Sequence, residues 1–101
     1  MAIDLTKTLF ERNLNTRFWL REEDGQRTAL DLIELKNGHS SPPYEQFSLL
    51  FRGEPSRLHP QRMYRMEHDA AGAFDLFLTP VERNDQGIFY EAVFNRRVNR
   101  G

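Results

Sequence analysis

The stretch TRFWLREEDGQRTALDL, residues 16–32, contains the clearest structural signal in the chain. Polar and apolar side chains alternate over residues 16–21, the period of a β-strand with one face in a core. Asp24-Gly25 is a strong hairpin-turn signal, and a second strand-like segment begins at Gln26. The stretch therefore predicts a β-hairpin. Its inner face carries Thr16, Phe18 and Leu20, and its outer face carries Arg17, Trp19 and Arg21.

The return strand of this hairpin changes phase part-way along. Thr28, Leu30 and Leu32 share one face, whereas Ile33 and Leu35 follow in the opposite phase. One extra residue in a strand brings the later apolar side chains back to the core side. The pattern therefore predicts a β-bulge near Leu32-Ile33.

Further segments toward the C-terminus alternate in the same way and are separated by turn residues. Pro80 interrupts one of them, and because proline cannot donate a ladder hydrogen bond, it predicts an edge position or the end of a strand. We predict an antiparallel β meander over residues 16–95, followed by a polar tail at 96–101. The expected inner side chains are Phe47, Leu49, Phe51, Tyr64, Met66, Phe74, Leu76, Leu78, Tyr90, Ala92 and Phe94.

Before the hairpin, residues 4–14 have apolar side chains at helical spacing, with Asp4 or Thr6 available as the N-cap. The predicted fold class is mainly β. A short N-terminal helix precedes about six antiparallel strands, which form a small barrel or a sandwich. The chain has 101 residues, so we expect a single domain spanning residues 1–101.

Composition excludes several functional classes. The chain has no cysteine, which rules out disulfides, thiolate metal ligands and a cysteine nucleophile. No apolar stretch approaches the roughly 20 residues that cross a bilayer, and the start lacks the pattern of a secretory signal. We therefore expect a cytoplasmic protein without membrane contact. The formal net charge is -1 and acidic groups are interleaved with basic ones, so nucleic-acid binding is not favoured.

The richest local cluster of reactive side chains is Glu67-His68-Asp69. Neighbouring residues of a strand point to opposite faces, so these three side chains do not converge on one metal ion. We expect His68 to end a strand and Asp69 to accept the hydrogen bond of the following turn. The sequence predicts no catalytic residue, no metal ligand and no cofactor.

The outer face of the first strand is the predicted site of protein contact. Trp19 lies there between Arg17 and Arg21, and tryptophan flanked by arginine has the composition of an interface anchor. In the alternative, the N-terminal helix covers Trp19 and makes it part of the core. Three more large apolar side chains fall on nominally outer faces, which indicates a two-sided fold or a covered partner surface. They are Leu50, Phe77 and Phe89.

Four segments of the chain resemble a bacterial family of roughly 100-residue domains of unknown function. The segments are FSLLFRG (47–53), YRMEH (64–68), FDLFLTPV (74–81) and YEAVFN (90–95). The front half is also similar to that family. Members are often encoded beside phage-tail-collar-like proteins, so the resemblance implies a tail-related or surface-assembly accessory role. It implies no catalytic residues.

We therefore expect a non-enzymatic protein-interaction module, an accessory of a phage-tail-like or fibre-type assembly. Its partner is a protein, and self-association into a homo-oligomer through an edge strand is one form of that interaction. Two other hypotheses remain open. One is a small-ligand binder or enzyme with a pocket inside the barrel near Glu67 and His68. The other is a single-stranded nucleic-acid binder that uses aromatic and arginine side chains.

Overall fold

A computed structural model describes residues 5–38 and 44–97, in which one short helix precedes six antiparallel strands. This confirms the predicted fold class. The β-bulge is also confirmed, because the pairing of β2 with β3 shifts register between Leu32 and Glu34. The elements are α1 (Lys7–Arg12), β1 (Arg17–Arg21), β2 (Arg27–Asn37), β3 (Tyr44–Gly53), β4 (Arg62–His68), β5 (Gly72–Asn84) and β6 (Gly87–Arg97).

The six strands form one sheet that closes on itself, so the barrel is found rather than the sandwich. Their order around the ring is β1-β2-β3-β6-β5-β4. The predicted continuous meander is therefore wrong at one connection, because β3 pairs with β6 and β4 pairs with β1. The ring thus consists of two three-stranded meanders, β1-β2-β3 and β4-β5-β6. They meet along two seams, where β3 pairs with β6 and β1 pairs with β4. Residues 54–61 carry the chain across one end of the ring from β3 to β4. Among the described residues, each of the six strands therefore has a paired neighbour on both sides over at least part of its length.

The apolar side chains predicted to face inward form one contiguous core, whereas Thr16, which was predicted on the inner face, is exposed and lies before β1. Phe18, Leu30, Phe51 and Leu78 are fully buried, and the other predicted inner residues of β3 to β6 are buried or packed against them. Such dense packing of aromatic and aliphatic side chains is the main favourable term in the stability of a domain this small.

Helix α1 closes the end of the ring opposite to the 54–61 connection. Thr6 caps it by accepting the Leu9 N–H at 3.1 Å, whereas the other predicted cap, Asp4, lies outside the described residues. Phe10 is fully buried, and its ring lies 5.4 Å from that of Phe94 and 6.0 Å from that of Phe74. A helix of six residues is not stable alone, so this docking holds it in place.

Strand β5 changes neighbours at its middle. Residues 72–78 pair with β4, and residues 79–84 pair with β6, with a register shift between Pro80 and Glu82. Pro80 lies two residues beyond Leu78, the last residue of β5 that pairs with β4. It is therefore at a local edge of the sheet, and this is the first of the two positions that the sequence predicted for it. β5 nevertheless continues beyond Pro80 to Asn84.

The predicted polar tail begins too early. β6 extends to Arg97 because its last residues pair with Tyr44 and Glu45 of β3. Residues 98–101 lie outside the described part of the chain. In that part, no helix has the length and apolar character needed to span a membrane.

Candidate interaction surfaces

The outer face of β1 carries the predicted contact residues, and its tryptophan is half-buried. The guanidinium of Arg27 lies over the Trp19 ring at 4.7 Å from the centroid, and that of Arg17 lies at 6.0 Å. Trp19 is not part of the core. The side chain that covers it is therefore Arg27 of the neighbouring strand, rather than α1 as in the alternative hypothesis.

The arginines around Trp19 are engaged in ion pairs within the domain. Arg17 pairs with Asp31 at 3.0 Å, and this hydrogen-bonded pair raises the pKa of Arg17. Arg21 and Arg27 both pair with Glu67, at 3.2 and 3.5 Å. We call the outer surface of β1, β4 and the first half of β2 the arginine side. Most of its positive charge is balanced by carboxylates of the same surface.

The outer surface of β3 and β6 has a different composition. Its central part carries one ionisable side chain, Glu91, which forms no ion pair with the described residues, while Tyr44 and Arg52 lie toward the ends of the outer side of β3. Val93 beside it is 71% exposed. We call this surface the β3–β6 face, and define it by Gln46, Ser48, Leu50, Phe89, Glu91, Val93 and Asn95.

A shallow cavity of about 250 Å³ lies on the β3–β6 face. Ser48, Glu91, Val93 and Asn95 line it, together with the borders of Phe47 and Phe94. Leu50 and Phe89, which the sequence placed on an outer face, lie on this surface and are half-buried. The third, Phe77, is exposed on β5 and pairs across the sheet with exposed Met63 of β4.

The 54–61 connection is held over the ring by buried polar contacts. The backbone N–H of His59 donates to the Tyr90 hydroxyl at 3.0 Å, and burial raises the pKa of Tyr90. The buried His59 Nε2 lies 3.5 Å from Oε1 of Glu22, without a hydrogen bond. Glu22 also accepts hydrogen bonds from Thr28 and Arg57. Sequence reasoning missed this cluster, because its members come from four separate segments with no motif among them.

A cavity of about 350 Å³ opens beside this cluster, between the β1–β2 turn and the 54–61 connection. Its charged lining residues are largely paired with one another, as in the contacts from Arg62 to Glu23 and from Arg57 to Glu22. These ion pairs hold the 54–61 connection and the β1–β2 turn together at one end of the ring.

The cluster Glu67-His68-Asp69 does not converge. Glu67 faces outward to the arginine side, whereas His68 faces inward and contacts Phe18 at a ring distance of 4.3 Å. His68, rather than Asp69, accepts the turn's hydrogen bonds, since its Nδ1 receives the N–H groups of Ala70 and Ala71. Burial lowers the pKa of His68. Within residues 5–38 and 44–97, no three His, Cys, Asp or Glu side chains come close enough together to hold a metal ion.

A comparison with known families gives one match, the family described as "Domain of unknown function (DUF6916)", over residues 5–94. The chain belongs to this family. The resemblance to an uncharacterised family of about 100-residue domains is thereby confirmed. No curated protein and no solved structure matches the chain.

In this DUF6916 domain, the segments that carried the resemblance supply mainly the core. Phe47, Tyr64, Phe74 and Tyr90 are all buried. These segments therefore contribute mainly to the packing inside the closed sheet. Glu67, a polar residue of the YRMEH segment, pairs with arginine side chains on the arginine side.

Proposed function

We propose that this DUF6916 domain is a non-enzymatic protein-interaction module. The observation that carries the proposal is a set of large apolar side chains exposed on the outside of a closed sheet, at two separate places on it. Val93, Met63 and Phe77 are all large apolar side chains that the core does not use, at 71%, 59% and 47% exposure. Removing the exposed part of such side chains from water is favourable in proportion to its area, which favours an interface in which they are covered.

The arrangement of charge supports a protein partner over single-stranded nucleic acid. Nucleic-acid binding requires arginines that are available to phosphates and aromatic rings that are available to bases. Arg17, Arg21 and Arg27 are instead paired with carboxylates, and Arg27 covers the Trp19 ring. The contiguous core likewise favours a binding module over an enzyme with a pocket inside the ring.

The biological setting is part of the same proposal. An accessory role in a phage-tail-like or fibre-type assembly comes from the family resemblance, as does a bacterial origin. A cytoplasmic location comes from the amino-acid composition. In this setting the domain binds a protein of the assembly through an outer sheet surface.

A site-specific photocrosslinker tests the proposal in host cells. We expect benzoylphenylalanine at position 93 to give one discrete crosslinked protein, identified by mass spectrometry. The matched control is the same group at position 11, which is exposed on helix α1. Absence of any discrete adduct at position 93, or the same adducts at both positions, would contradict the proposal.

A further inference from the structure

We infer that the β3–β6 face binds a second copy of this chain in a two-fold symmetric dimer. This inference rests on the proposed function and names the partner of the place on the sheet that carries Val93. It begins from the composition of the centre of the face, where one ionisable residue occurs among seven outward positions, with Tyr44 and Arg52 at the two ends of β3. Interface centres are depleted of charged residues in this way, whereas the arginine side has the mixed charge of a solvated surface.

The order of residues along β6 makes the face complementary to itself. Glu91 and Asn95 lie two residues to either side of Val93 and point to the same outer surface. A two-fold axis that lies in the interface and crosses the strands at Val93 therefore brings Glu91 of one copy to Asn95 of the second. The amide of Asn95 can donate to the carboxylate, and the contact occurs twice by symmetry.

The neighbouring strand follows the same symmetry. Ser48 is the register partner of Val93, and Tyr44 and Arg52 lie four residues to either side of it. The same axis brings Tyr44 of one copy, which is 51% exposed, to Arg52 of the second. An arginine over an exposed tyrosine ring is a favourable cation–π arrangement. The existing ion pair of Arg52 with Asp31 is long, at 4.0 Å, and exposed, so it competes weakly.

The size of the face sets the expected affinity. With about 3.3 Å per residue and about 4.8 Å between strands, the paired lengths of β3 and β6 present a projected area of roughly 300 Å². A standard stable interface buries about 800 Å² on each partner. The dimer is therefore weak, with a dissociation constant in the micromolar range or above, and it forms where the chain is locally concentrated.

Sedimentation equilibrium of the full chain, from about 10 μM to about 1 mM, tests this inference. We expect the mass to rise from 12.0 kDa toward twice that value across the range. Val93→Asp should remain monomeric throughout, whereas Arg65→Ala, on the arginine side, should behave as the wild type. A wild-type chain that stays monomeric at every concentration overturns the inference. So does a dimer that Val93→Asp leaves intact.

Two changes at one position test the symmetry itself. Asn95→Asp places a second carboxylate against Glu91 of the other copy, and like charges brought together should weaken the dimer by about tenfold or more. Asn95→Lys places an ammonium there and should strengthen it. Equal effects of the two variants overturn the proposed axis.

The outcomes of the two experiments are distinguishable. A monomeric chain whose position 93 still crosslinks to a different protein removes the dimer and leaves the proposed function intact. A monomeric chain without any discrete adduct at position 93 removes both.

Discussion

Nε2 of His68 lies 2.8 Å from Oγ1 of Thr16, and this hydrogen bond ties the end of β4 to the segment between α1 and β1. The contacts of the other ring nitrogen, Nδ1, show which atom donates in this hydrogen bond. Nδ1 accepts two backbone N–H groups of the β4–β5 turn, so it carries no proton. The proton is therefore on Nε2, which donates to Thr16, and Thr16 in turn donates to the Asn13 carbonyl at 2.6 Å. The neutral imidazole is a structural link between the helix and the turn.

Acid should break this link and destabilise the fold. Burial lowers the folded-state pKa of His68, with an opposing influence from Asp69. The unfolded chain, with a histidine pKa near 6.5, then binds a proton that the folded chain does not. The contribution of His68 is therefore complete above about pH 6.5 and is lost progressively as the pH falls below it.

Urea unfolding at about pH 7.5 and about pH 5.5 measures the effect. We expect the wild type to be less stable at the lower pH. His68→Asn keeps an acceptor for the turn but does not titrate, so its loss of stability between the two pH values should be smaller. If both proteins lose the same free energy of unfolding between the two pH values, His68 is not the source of the pH dependence.

Phe10 should be the most costly side chain of α1 to truncate. It is fully buried among the rings of Phe18, Phe47, Phe74 and Phe94. Phe10→Ala removes these contacts and leaves a cavity, for which the usual cost is about 3–5 kcal/mol. The control is Thr8→Ala on the exposed side of the same helix, with an expected change within about 0.5 kcal/mol. Similar denaturation midpoints for the two variants would argue against this packing.

Gly87 should not tolerate alanine. It has a positive φ of 153°, and a Cβ there would lie 2.4 Å from the backbone oxygen of Gly53. Gly25 is a matched control, since its φ is 89° but nothing lies within 4 Å of a Cβ. Gly25→Ala should cost about 1 kcal/mol of backbone strain, and Gly87→Ala several times more. Thermal unfolding compares them, and equal shifts in Tm would refute the close approach.

The fluorescence of Trp19, the single tryptophan, should depend on whether Arg27 covers its ring. Arg27 lies over the Trp19 ring, so Arg27→Ala should expose the indole to water. We expect a red shift of the fluorescence emission and stronger quenching by acrylamide. The loss of stability should be small, about 1 kcal/mol or less, because the interaction is at the surface. Arg65→Ala removes an arginine of the same side without contact to Trp19, and an equal red shift there would contradict the assignment.

The features that the sequence predicted correctly are local ones. Alternation identifies the inner residues of each strand, and the change of phase after Leu32 identifies the bulge, because both depend on side-chain direction within one segment. The Thr6 cap likewise involves residues three apart. These properties are set by the chain's own geometry before any tertiary contact forms.

The features that the sequence missed depend on pairing between distant segments. Nothing within β3 distinguishes β6 from β4 as its neighbour, since both present an alternating apolar face. The contact of His59 with Glu22 joins positions 37 residues apart, and it exists only because the 54–61 connection crosses the ring. The cover of Trp19 by Arg27 requires the register of the β1–β2 hairpin, in which Trp19 lies opposite Ala29.

The two seams of the ring are unequal in length. The β3–β6 seam runs the full length of β3, whereas the β1–β4 seam spans only residues 19–21 and 65–67. Thermal fluctuations therefore part the sheet first between β1 and β4, since fewer interstrand bonds must be given up there and every hairpin survives. Leu20 and Met66, which face the interior across this seam, are then the core side chains that water and chemical labels reach earliest.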